Sequence, residues 1–128
     1  MEATRLAPLV GIAGCIGVLG ALAYPLLVVD AAVGYYGAGA INPLAAGFLA
    51  LLAIVVLAAG RQGRTDPAFA AGVGLVLGLA VLVILALWAL TLRPDLVPID
   101  PNHRWVATAV AAIVPLGAGW YARSLGLL

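Results

Sequence analysis

Long apolar runs separated by short polar punctuation organise this chain. Residues Phe69 to Leu92 pass without one charge, and Asp66 and Arg93 bracket them. At ~1.5 Å per residue such a run crosses a bilayer core of ~30 Å. Three further runs have the same character, which predicts spans at about 6–29, 43–59, 68–92 and 103–121. The expected fold is all-α: a four-helix transmembrane bundle with short loops, forming a single integral membrane domain over residues 1–128.

Proline and cap residues mark the ends of the runs. Pro8 suits the first turn of the first span, where its missing N–H costs nothing. Asn42-Pro43, Asp66-Pro67 and Asp100-Pro101 each read as a cap followed by an opening proline. Gly60 is expected to close the second span. Pro25 should disturb the last turn of the first span, and Pro115 should kink the fourth. Thr108 can bond back to its own helix. Tyr35, Tyr36, Trp88, Trp120 and Tyr121 are placed for an aromatic belt at the headgroups.

Small residues supply the packing signals. Gly11, Gly14, Gly17 and Gly20 recur every third position, a period that drifts around a helix and so offers close approach to more than one neighbour. Ala13, Gly17 and Ala21 make a small-xxx-small face, and Gly74 and Gly78 a G-xxx-G pair. The partner of these faces is either another span of the chain or another copy. The glycines of the first span read equally well as the product of a glycine-rich composition.

Composition removes several functions. With 66% hydrophobic residues and a mean hydropathy of +1.21, the chain exceeds the roughly 45–50% apolar content of soluble domains. A formal charge of +1 gives no field for nucleic acid. One cysteine, Cys15, cannot close an internal disulfide, and with one histidine, His103, the chain cannot build a zinc site alone. No cofactor or metal is therefore expected. Ala21-Leu22-Ala23 is like a signal cleavage site, but apolar sequence continues past it, so an uncleaved span is expected. Ile12-Ala13-Gly14-Cys15 is like a lipidation box without the polar tether that should follow, which leaves Cys15 as an apolar filler.

Every basic residue is Arg, with no Lys, and the connection from Arg93 to Arg104 is rich in Asp and Pro. In composition and layout the chain resembles the small uncharacterised multi-spanning membrane proteins of haloarchaea. That resemblance carries no catalytic or binding motif and transfers no function.

Four spans put both termini on one side, with Arg5, Arg61, Arg64 and Arg123; the other side carries Arg93 and Arg104. The positive-inside rule then makes both termini cytoplasmic in a cell membrane. No charge falls in the interior of a span, which argues against a proton-coupled carrier acting alone. Asp95, Asp100, Asn102, His103 and Arg104 form a weak polar cluster outside the membrane, and the same residues would make an ordinary solvated loop. Ala53–Gly60 and Ala112–Gly119 agree at six of eight positions, and Arg64 with Arg123 and Pro8 with Pro67 align at the same offset, a hint of an internal duplication. The expectation is a non-enzymatic accessory or scaffold subunit, or a packing homo-oligomer, with lipid and other membrane subunits as partners. The alternatives are a small oligomeric channel or uncoupled transporter and, on His103 alone, a cofactor-binding or enzymatic subunit.

Overall fold

Each apolar run becomes a helix. The computed structural model describes residues 2–28, 42–91 and 102–128. They form α1 (Glu2–Val28), α2 (Leu44–Arg61), α3 (Pro67–Thr91), α4 (His103–Ala111) and α5 (Ile113–Ser124). Only Ala112 separates α4 from α5, so the two make one candidate span, and four helical segments are long and apolar enough to cross a membrane. The described residues contain no strand.

The polar punctuation works through hydrogen bonds. Asn42 Oδ1 accepts from the Leu44 N–H at 3.0 Å, and Asp66 Oδ1 from the Ala68 N–H at 3.2 Å, so both caps quench orphan donors. Asp100-Pro101 lies outside the described residues. Gly60 does not end α2. The helix runs on to Arg61, and Gly63, with φ +73°, makes the turn. The Arg64 N–H reaches the Ala59 carbonyl and the Gly63 N–H the Gly60 carbonyl, a Schellman closure that needs the left-handed glycine. Gly126, with φ +80°, closes α5 in the same way.

The prolines sit deeper than the sequence pattern places them. Because α1 begins at Glu2, Pro8 lies inside the helix rather than in its first turn. Pro115 cannot donate to the Ala111 carbonyl, and the helix is interrupted at Ala112, three residues before it. The stretch Ala53–Gly60 is uninterrupted helix, so the two halves of the suggested repeat differ at this point.

The spans pack as a ring in chain order. α1 touches α2 and the α4–α5 span, and α3 touches the same two, while α1 and α3 barely meet. At one end Arg61 Nε donates to the Arg5 carbonyl, and the Thr4 and Ser124 hydroxyls meet at 3.3 Å. Both ends of the described chain therefore lie at that end.

The interior has two apolar clusters. Ala7, Leu57, Ala70, Ala71, Ala118, Tyr121 and Ala122 fill the half near the termini. Cys15, Val18, Ala50, Val81, Leu85, Trp88, Ala107 and Val114 are among those that fill the other. Large side chains such as Ile16, Phe48, Val55, Phe69, Val76, Leu90 and Leu116 are exposed on the outside. This is the pattern of a bundle in lipid: the driving force between helices is close packing, which small inward residues allow, rather than escape from water. Two aromatics leave the expected belt. Trp88 and Tyr121 are buried, while Trp120 is exposed, and Tyr35 and Tyr36 lie outside the described residues. Cys15 is buried in the core, where it serves as packing.

Candidate functional site

Glycines form a waist between the two clusters. A Cβ on Gly117 would collide with the Gly11 backbone N and would lie 2.7 Å from the Gly11 Cα, so α1 and α5 cross backbone to backbone. Gly14 faces Ile113 and Val114, and Gly17 faces Val110. Gly78 lies against the Pro115 backbone, and Gly74 against the Leu57 side chain. The drift of the every-third-residue ladder is visible here. Nine residues at ~100° each carry Gly20 half a turn away from Gly11, and nothing lies within 4 Å of its missing Cβ. Gly11, Gly14 and Gly17 thus all meet the fourth span, and Gly11 touches Leu57 of α2 as well. In the small-xxx-small face Ala13 is exposed, while Gly17 and Ala21 are half-buried. Gly60, which reads from sequence as a helix end and not as a packing site, is buried against Ala70 and Tyr121.

The polar residues of interest gather at the opposite end from the termini. His103 is the first residue of α4 and points inward rather than into a loop. Its Nε2 lies 2.7 Å from the Ala21 carbonyl of α1. The reason is Pro25. In a regular helix the Ala21 carbonyl accepts from the N–H four residues on, and Pro25 has none. A carbonyl can only accept, so Nε2 carries the proton and donates it. The ring stacks on Tyr24 at 6.4 Å between centroids and meets Trp88 of α3 edge-on at 6.4 Å. One side chain thereby ties α1, α3 and α4 together.

The neighbouring polar groups are held by the backbone. Thr108 Oγ1 lies 2.8 Å from the Arg104 carbonyl and 3.3 Å from the Leu85 carbonyl of α3, so its proton is shared between its own helix and a neighbour. The Arg104 guanidinium lies 5.5 Å from the Trp105 ring centroid. Asn102 precedes α4 but does not cap it through its side chain. Asp95 and Asp100 lie outside the described residues.

Among the described residues His103 meets a carbonyl and two aromatic rings, while Asp95 and Asp100, the carboxylates that the sequence pattern sets beside it, lie outside them. With Nε2 committed to Ala21, that nitrogen is not a base or a metal ligand in this arrangement. Among the described residues, no three of His, Cys, Asp and Glu come together to hold a metal ion. The missed signal was Pro25, since a mid-helix proline leaves a carbonyl in want of a donor. Tyr24 carries no signal of its own, and Trp88 reads in sequence only as a belt residue.

No curated protein and no solved structure matches the chain. A protein-family model does match, across residues 1–126 and so almost the whole bundle, its waist and the His103 tie included: the chain belongs to the family of unknown function DUF7548.

Proposed function

We propose that this is an integral membrane protein with four spans that works by packing, as a non-enzymatic accessory or scaffold subunit of a larger membrane assembly. The carrying observation is the glycine waist. The described glycines between the two clusters meet side chains or backbone of their own chain, and the crossing of Gly11 and Gly117 leaves no space between backbones. What the bundle presents is a fixed surface of large apolar side chains with charged ends. Self-association through Gly74 and Gly78 loses its warrant, because both already face Leu57 and Pro115.

Tagged purification from native membranes in mild detergent, followed by mass spectrometry, tests the reading. The expected result is a stoichiometric membrane partner. A lone homo-oligomer that passes ions or solutes in proteoliposomes would replace it with the channel reading.

The orientation follows from charge. Arg5, Arg61, Arg64 and Arg123 flank the end that holds the termini, which the positive-inside rule makes cytoplasmic. A reporter fused after Leu128, or inserted beside Arg64, should be silent to outside reagents in intact cells. Labelling from outside would reverse the assignment.

A further inference from the structure

We propose that the cleft between Arg5 and Arg61 binds the phosphate of an anionic phospholipid. Glu2, Arg5, Leu6 and Arg61 line this shallow opening of about 220 Å³ at the end of the bundle that holds the termini. The proposal rests on the membrane reading, which alkaline extraction of membranes tests separately.

Three observations converge on a lipid. First, Arg61 is anchored. Its Nε donates to the Arg5 carbonyl at 2.9 Å, which fixes the guanidinium at the junction of α2 with α1 and leaves its terminal amino groups for another acceptor. Second, the cleft has two cations against one carboxylate. Among the described residues neither guanidinium forms an ion pair with Glu2 or Asp66. Paired arginines suit phosphate because the planar fork offers parallel N–H donors.

Third, the surface below the cleft matches the other half of an amphiphile. Glu2, Arg5, Leu6, Leu9 and Ala13 follow one another at helical spacing on α1, and all are exposed. This stripe is charged at the bundle end and apolar from Leu6 on, with Ile16 continuing it. A headgroup at Arg5 and Arg61 would lay its acyl chain along Leu6, Leu9 and Ala13. A free phosphate would use only the upper half of that surface.

The test is thermal unfolding of the detergent-solubilised protein in mixed micelles with dioleoyl phosphatidylglycerol or dioleoyl phosphatidylcholine, and separately with sodium phosphate. Phosphatidylglycerol should stabilise and bind more tightly than phosphatidylcholine. Arg5→Gln leaves the carbonyl that anchors Arg61 in place, and should lose roughly fivefold in phosphatidylglycerol affinity, the usual worth of one arginine near an anionic surface. Arg61→Gln should lose at least as much, and Glu2→Gln should gain. Arg123→Gln removes an exposed charge at the same end but outside the cleft, and should change little. An equal loss in Arg123→Gln would mean diffuse attraction and overturn the site. Equal stabilisation by sodium phosphate would overturn the lipid as occupant, and no preference between the two lipids would overturn both.

Discussion

Gly117→Ala should be among the most damaging single-methyl additions in this bundle, costing about 3 kcal/mol, the upper part of the usual overpacking range. The new Cβ would fall on the backbone of Gly11 and Val10, and backbone atoms cannot step aside as a side-chain end can. α1 and α5 would have to separate along their whole contact. Gly78→Ala should follow, since its Cβ meets the Pro115 N at 2.9 Å and Cα at 3.1 Å. Gly74→Ala should cost less, because the nearest atom is the Leu57 Cδ2 at 2.7 Å and a leucine terminus can rotate. Gly20→Ala, in open space, should stay within about 0.5 kcal/mol of the parent. Unfolding by sodium dodecyl sulfate titration in mixed micelles measures all four. The order matters more than any one value, since equal costs for Gly117→Ala and Gly20→Ala would remove the waist from the account.

The bundle was legible because lipid imposes a coarse rule. A run of some twenty uncharged apolar residues must be helical, since every backbone group has to be satisfied within the segment. The caps at Asn42 and Asp66 were equally plain, because each short polar side chain precedes a proline at a helix start, Pro67 as the first residue of α3 and Pro43 one residue before α2. The aromatics were not legible in this way. Trp88 has the spacing of a belt residue, yet it is buried because His103 and α4 cover it, and that depends on how the spans are arranged around the ring. Gly74 and Gly78 showed that a close approach exists, but not with which helix. Period-three spacing in α1 similarly announced several contacts, and only the crossing at Gly117 assigns three of the glycines to one neighbour. Gly60 reads as a helix stop in sequence and works as a packing site, because the left-handed turn falls three residues later at Gly63.

His103→Phe should destabilise the protein by about 1–3 kcal/mol, and the share that comes from the Ala21 carbonyl should vanish when Pro25 is replaced by alanine. Phenylalanine keeps a ring to pack between Tyr24 and Trp88, while the Nε2 donor to the Ala21 carbonyl is lost. In the parent the Ala21 carbonyl is then left without the helical N–H that Pro25 lacks, and an unpaired buried polar group costs about 1–3 kcal/mol. Pro25→Ala returns that N–H to the helix. With the carbonyl served from within α1, loss of the Nε2 donor no longer leaves it unsatisfied. Unfolding of the parent, both single variants and the double variant forms a thermodynamic cycle, and a coupling of about 1 kcal/mol or more is expected between the two positions. The cycle separates this account from a purely packing role for the ring. If His103 only filled space against Tyr24 and Trp88, His103→Phe would cost the same in both backgrounds and the coupling would be near zero. A coupling of the expected size would identify His103 as the donor that makes a mid-helix proline tolerable, and with it the means by which α4 is held against α1.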